Sequence, residues 1–487
     1  MILLGFSPKI MNEKGFSLLR LLREQKDFWP LILFAVHLGH SFLFAHLYPY
    51  HLYDTDLFAY FIYFRNWLAH NSALHTVSFF PLPKPLLVFV LGPLGNVSWA
   101  FYVSACASAF LGSLTYLVAR HFFGRASGLL LSTFLLLDPL KSILTLESNA
   151  DLYLSFLLFL AIYLSTVGRS LLSSACLFLS ALVKPVTLPC ALYYLLDTGE
   201  EKRKKWLCAV LPLLAIPLTL LIDHALLGSA AGLTRFSAEF TALRNTNPLI
   251  PGQVLYFVLW TQFVKTRFVL MAPWGFLGIL LWLTSDSKRL TSPLLLIPLF
   301  FLSGYLILSV FSPYTPFFRF YWPLEIWFLA FITYGIVESA RRISSGQDWV
   351  RKGATCLLLF FLLDDSLRYY FMYRNGFALP FERGMAFVTT SLQVLKREKK
   401  EEETVLTSLA FMPYVMWELK IQERTDLLIV AEEAAAKGQV PRPDWIVYVP
   451  QISANPRAQA LTDHLIGGEK YEPRLRDGTS VLFHRKP

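Results

Sequence analysis

Apolar stretches of about 20 residues recur along the first three quarters of this chain, and each is long enough to cross the hydrocarbon core of a bilayer. A backbone placed in hydrocarbon must satisfy its own N–H and C=O groups, and runs of this length do so as helices. Only 16% of the 487 residues are charged, against about a quarter in soluble domains, and mean hydropathy is +0.48. The expectation is an all-α polytopic membrane bundle. The first run opens near Phe28 and no small-residue cleavage pattern follows it, so it reads as a span rather than a leader.

The net charge of +10 does not point to nucleic acid, because the bases sit in short clusters between apolar spans, where membrane topology accounts for them. The five cysteines, Cys106, Cys176, Cys190, Cys208 and Cys356, all lie in apolar runs without CxxC spacing. They read as small core residues and imply neither disulfides nor a metal.

Basic residues alternate with the spans. Residues 1–27 carry Lys9, Lys14, Arg20, Arg23 and Lys26, which places them in the cytoplasm. Spans are expected at 28–47, 98–119, 126–143, 152–168, 206–226, 268–284, 291–311, 321–338 and 353–365. Two further crossings fall in 170–200, as short helices meeting at Lys184-Pro185, because Arg169 and the run from Lys202 to Lys205 both belong inside. That makes about eleven transmembrane helices, with the N-terminus inside and the last portion outside. Residues 48–84 form a first outer loop in which Leu57, Tyr60, Phe61, Phe64, Trp67 and Leu68 recur at helical spacing, as an amphipathic helix lying in the membrane interface would. A second large outer loop covers 227–266.

The division expected is a transmembrane catalytic domain over 1–365 and a small extracytoplasmic α/β domain over 366–487. In the latter, VLTSLAF, MPYVMWELK, DWIVYVP and PRAQALTDHLI alternate strand-like and helical runs, and Asp477-Gly478 sits between two β-rich runs as a hairpin turn.

In so apolar a chain the placement of charge is informative. Asp54 and Asp56 open the first-loop helix, and one could simply cap it. A carboxylate at a membrane surface could equally take a proton from an acceptor hydroxyl. Lys84, between Pro83 and Pro85, could be a snorkelling flank, or a rigidly held cation for a phosphate. Glu147 and Asp151 suit a helix N-terminus, and both fall on the side of Asp56. Lys184 is an intramembrane base and so a functional candidate by default. Arg319, in FFRFYWP, could anchor a span end or clamp a phosphate. The histidines, His37 and His40 among them, show no ligand pattern and read as core. No GxSxG, HExxH or P-loop occurs.

The order of these residues resembles the C-type (GT-C) superfamily of integral-membrane glycosyltransferases, in particular the aminoarabinose transferases and the protein O-mannosyltransferases. Asp56, Tyr60, Arg65 and Leu68 match the spacing of their first-loop motif, and Lys84-Pro85 matches the loop exit. Asp151 opens DLYLSFLLFLAIYL, Lys184-Pro185 follows, and Arg319 to Pro323 resembles a late R-Y-x-x-P string. Leu57 stands where the mannosyltransferases have a second acid, so Asp54 could substitute or Asp56 act alone.

The resemblance implies inverting transfer of a sugar from a polyprenyl-phosphate donor to a glycan, lipid or protein acceptor on the outer face of a membrane, such as a bacterial inner membrane. Asp56, with Asp54, would supply the base. Lys84, Arg319 and Lys184 would contact the donor phosphate. Tyr60, Arg65, Glu147 and Asp151 would bind or orient substrate. Asp54, Asp56 and Asp151 could hold a divalent cation such as Mg or Mn. Two rival readings remain: a polymerase or ligase of lipid-linked saccharides using Arg235, Arg244 and His224, and a lipid-linked sugar transporter or flippase, which would be expected to show inverted repeats.

Overall fold

The computed structural model describes residues 27–47, 55–68, 84–196, 202–227, 268–285, 287–311, 321–343, 379–407, 411–421, 442–450 and 471–486, with isolated helical positions between 349 and 371. The membrane part contains α1 (Trp29–Leu47), α2 (Thr55–Leu68), α3 (Pro85–Leu91), α4 (Val97–Phe123), α5 (Arg125–Leu137), α6 (Pro139–Leu146), α7 (Ala150–Thr166) and α8 (Ser170–Val183). A 3-10 stretch (Pro185–Leu192) leads to α9 (Tyr193–Leu196), then α10 (Lys202–Leu213), α11 (Ala215–Leu227), α12 (Ala272–Ser285), α13 (Pro293–Phe311) and α14 (Trp322–Ile343).

Local chemistry sets the breaks. Asn96 caps α4 by accepting the Ser98 amide at 2.8 Å. Gly124, at φ 91, turns the chain between α4 and α5. Lys184-Pro185 separates α8 from the 3-10 stretch, as expected from sequence. The stretch expected as one span at 126–143 is instead α5 and α6, bent by 57° at Asp138-Pro139. The reason is local: Asp138 caps α6 by accepting the Leu140 amide at 3.0 Å, and Pro139 takes the first helical position, where no N–H is needed.

Among the described residues, four helices are long and apolar enough to cross a membrane, or five if the bent pair counts as one span. They differ in burial. The windows in α4 and α14 are 72% buried and form the interior, whereas those in α1 and across α10–α11 are 22% and 28% buried and leave rows of apolar side chains exposed. On α1 these include Leu31, Ile32, Val36 and Leu43, a surface suited to lipid rather than water. Inside the bundle, helices approach through small residues: a Cβ on Gly278 of α12 would stand 2.1 Å from the Phe331 carbonyl oxygen, and one on Gly335 of α14 would stand 2.2 Å from that of Trp274. Several buried hydroxyls are paired, as in Ser104 with the Tyr153 hydroxyl at 2.6 Å.

The C-terminal part opens with α15 (Leu379–Glu398), then β1 (Val405–Thr407), α16 (Met412–Leu419), β2 (Trp445–Tyr448), β3 (Tyr471–Asp477) and β4 (Ser480–Arg485). The sheet order is β1-β2-β4-β3, with β1 and β2 parallel and the other pairs antiparallel. The expected hairpin is present. Asp477 pairs with Ser480, so its two loop residues are Gly478 and Thr479, with Gly478 at φ 57. PRAQALTDHLI lies outside the described residues.

The first-loop helix forms where expected, and protein covers it on two sides. Residues 57 to 63 of α2 are all buried, and among its described side chains only Trp67 and Leu68 at the far end are exposed. A helix apolar all round is a buried helix. Here the bundle covers one side through α3 and the turn at Gly92, and α16 covers the other.

Candidate active site

Asp56 occupies the first turn of α2, one turn before Tyr60 on the same side of the helix. Of Asp56 only the backbone is described, and Asp54, Arg319, Arg235 and Arg244 lie outside the described residues. Tyr60 is buried, and the Lys84 ammonium sits 5.7 Å from its ring centroid, in cation–π range. Lys84 also stands at φ 43, ψ 67, although a residue before proline is normally extended. Holding a lysine in the left-handed region costs about 1–2 kcal/mol. Such strain gathers where a side chain is held for a task. Pro85 begins α3 behind it, and the Lys84 carbonyl accepts the Leu87 amide at 2.9 Å.

Leu86 packs against a cluster of Ala181, Leu182 and Ala215, which sets the start of α3 beside the end of α8. That end is capped by Lys184, whose Nζ donates to Asp151 Oδ1 in a buried ion pair. Two candidates named separately from sequence are therefore one unit. Asp151 lies in the first turn of α7, where Asn149 caps the helix by accepting the Asp151 amide at 2.9 Å. The Asn149 side chain also donates to Glu147 Oε2 at 3.3 Å. The stretch from Glu147 to Asp151 is buried throughout, and Ser148 within it stands at φ 52. Among the described residues three non-glycine positions have positive φ, and two of them, Lys84 and Ser148, are here.

Arg65 is placed elsewhere. It lies on the opposite side of α2 from Tyr60, with its guanidinium 5.1 Å from the Trp417 ring of α16, and partial burial pushes its pKa down from the ordinary value. His224 is exposed in the last turn of α11. Among the described residues, no group of three or more His, Cys, Asp or Glu is arranged to hold a metal ion. Asp151 is thus in no such group with described neighbours, and the carboxylates of Asp54 and Asp56 are not among them.

Two buried polar groupings were not read from sequence. Trp322, at the start of α14, donates its indole N–H to Asp138 Oδ2 at 2.9 Å and so ties the bend between α5 and α6 to the helix that follows Arg319. The Asp138-Pro139 pair was the available signal. In the bundle interior the Lys141 amine meets His37 Nδ1 at 2.8 Å, while His37 Nε2 meets Ser132 Oγ at 3.1 Å. His37 is indeed a core histidine with both ring nitrogens occupied. Lys141, two residues before the end of the span expected at 126–143, is a base within an apolar run, the same signal that singled out Lys184.

No family model matches the chain, and no curated protein matches it. Solved structures do. ArnT from Cupriavidus metallidurans bound to undecaprenyl phosphate is 15% identical with a TM-score of 0.53, over 93% of this chain and 97% of that one. ArnT from the same organism in the apo state is 13% identical with a TM-score of 0.49 over the same shares. At such identity the likeness is one of fold, and it takes in both the helical bundle and the C-terminal part: this is an integral membrane protein with the fold of ArnT.

Proposed function

We propose that the protein is a membrane glycosyltransferase that takes a sugar from a polyprenyl-phosphate donor. The observation that carries this reading is Lys84, held in a strained conformation over Tyr60, one helical turn from Asp56. A carboxylate base and a cation would together suit group transfer with a phosphate leaving group. The fold supports the same reading, since the ArnT it resembles was solved with undecaprenyl phosphate.

The step is a single displacement with inversion. The acceptor oxygen forms a bond to the anomeric carbon while the bond from that carbon to the lipid phosphate oxygen breaks, and its electron pair departs on the phosphate. Asp56, with Asp54 as an alternative, receives the acceptor proton. Lys84, assisted by Arg319 and Lys184, stabilises the charge that grows on the phosphate. Tyr60, Glu147 and Asp151 orient the reacting groups, and Arg65 supports the helix. A divalent cation at Asp54, Asp56 or Asp151 would add to the same stabilisation. The chain crosses the membrane about eleven times, and alternating basic clusters set the site and residues 366–487 on the outer side, in a bacterium the periplasmic side of the inner membrane.

The test uses the full chain in liposomes with labelled undecaprenyl-phosphate sugars and a cell-envelope extract as the source of acceptor. Release of undecaprenyl phosphate is expected from the unaltered chain. Asp56→Asn should lower it by about 10²–10⁴-fold with donor binding retained. Near-normal release in Asp56→Asn, with loss in Arg244→Ala instead, would transfer the chemistry to the second outer loop.

A further inference from the structure

Helix α2 carries the proposed base, yet its 14 residues are too few to be stable alone. Its orientation must come from what packs on it. A helix advances ~100° per residue, so positions 56, 60 and 64 fall within an arc of ~80°. That arc meets the bundle: Lys84 lies over Tyr60, and a Cβ on Gly92 would stand 2.5 Å from Phe64 Cβ and 3.0 Å from the Tyr60 carbonyl oxygen. Positions 58, 61, 62 and 65 fall within ~100° on the far side. All four meet α16: Phe58 stacks on Tyr414 at 4.8 Å, Phe61 on Trp417 at 5.3 Å, Arg65 lies over Trp417 at 5.1 Å, and Ile62 packs with Met412 and Met416.

α16 is itself fastened. The Tyr414 hydroxyl meets Thr389 Oγ1 of α15 at 3.2 Å, and Lys396 of α15 pairs with Glu418 at 2.6 Å. The C-terminal domain thus presents a rigid aromatic face to the side of α2 that points away from Lys84.

We propose that the C-terminal domain is a positioning part of the catalytic unit, with Trp417 and Tyr414 as positioning residues that fix the roll of α2 and so the aim of Asp56 toward Lys84. The inference rests on the function proposed above. A helix with side chains is ~10–12 Å across, so a roll of ~20° carries a side-chain tip by about 2 Å. A misplacement of about 1 Å can cost 10²-fold in rate.

The experiment compares full-length Trp417→Ala, Tyr414→Ala and the conservative Trp417→Phe with the unaltered chain in liposomes, reading kcat and donor KM for release of undecaprenyl phosphate and hydrogen exchange over residues 55–68. Trp417→Ala is expected to lower kcat about ten- to a hundredfold while donor KM moves less than about threefold. Amides of α2 should exchange faster and those of α4 should not. Trp417→Phe, which keeps an aromatic ring between Phe61 and Arg65, should return kcat to within about threefold of the parent. If Trp417→Ala does not fold, Trp417→Leu replaces it under the same criteria. Unchanged kcat in a folded variant, or equal weakening of kcat and donor binding without faster exchange in α2, overturns the inference. If Asp56→Asn also leaves release unchanged, the fault lies with the proposed function; if Asp56→Asn abolishes release and the Trp417 variants do not alter it, the positioning role alone is wrong.

Discussion

The ion pair between Asp151 and Lys184 joins α7 to the end of α8, and its loss can be worked through. Asp151 is 1% exposed and the Lys184 side chain 13%, so solvent and salt screen the pair little. Asp151→Asn keeps the volume and one acceptor but leaves a buried ammonium without its counter-charge. Breaking a buried pair from one side costs about 3–5 kcal/mol. Because the amide still accepts a hydrogen bond, the lower end applies, ~3 kcal/mol, or about a hundredfold in the ratio of folded to unfolded chain at 1.4 kcal/mol per factor of ten. Lys184→Met is expected to cost as much, since it strands the carboxylate. The double substitution Asp151→Leu with Lys184→Met replaces the pair by apolar groups of similar size, which ranges from neutral to stabilising. Membrane proteins commonly unfold irreversibly, so the measurement is the half-life of the detergent-solubilised chain at a fixed elevated temperature. Each single variant should shorten it at least about tenfold, and the double variant should restore it. Transfer assayed on the same samples separates strut from site: stability should return in the double variant while sugar transfer does not. A single variant as long-lived as the parent would refute the energetic reasoning, and a double variant regaining both properties would remove Lys184 from the phosphate site.

Further outcomes follow from the same coordinates. Lys84→Gly and Lys84→Ala should both lose transfer, but the glycine variant should be more stable by about 1 kcal/mol because it occupies φ 43 without strain; equal stability in thermal melts would argue against that strain. Gly278→Ala should destabilise by about 1–3 kcal/mol through its approach to the Phe331 carbonyl, whereas Gly39→Ala, with nothing within 4 Å, should be neutral in the same melts. Trp322→Phe removes a donor to Asp138, a charge-assisted bond of about 1.5–3 kcal/mol, and should shorten the thermal half-life in detergent.

What was legible in the chain is what neighbours in sequence decide. The helix break at Lys184-Pro185, the place of Asp151 in the first turn of α7 and the turn at Gly478 each depend on a few adjacent residues and appear where the pattern put them, whereas Glu147 closes α6 and Asn149 caps α7. The bend at Asp138-Pro139 was equally local, but the span expected at 126–143 runs through it, because the apolar run from Leu129 to Leu137, broken only at Ser132 and Thr133, leads straight into it. The partners of buried polar groups were not legible. Lys141 and His37 meet across 104 residues, and Trp322 reaches Asp138 across 184. No period or spacing along a chain encodes such a pairing.

α2 shows the limit most clearly, because there a correct local reading missed one of the two protein surfaces that cover the helix. Of the six residues read as one apolar side, Tyr60 and Phe64 meet the bundle but Phe61 meets α16, and Phe58, Ile62 and Tyr63 are apolar too. A helix with one face on lipid turns a polar face to water, and between Asp56 and Arg65 α2 carries no charged residue to form one. Its second apolar side requires a second cover, and that cover, α16, lies some 350 positions further along. The composition of α2 alone was therefore enough to demand a partner. Its aromatic residues at 58 and 61 have counterparts in the Tyr414 and Trp417 of MPYVMWELK, a segment whose own apolar excess is unexplained in a small soluble domain until it meets them. Two short, over-apolar helices at opposite ends of one chain are most simply accounted for by each other, and that mutual burial is what ties the C-terminal part to the helix bearing Asp56.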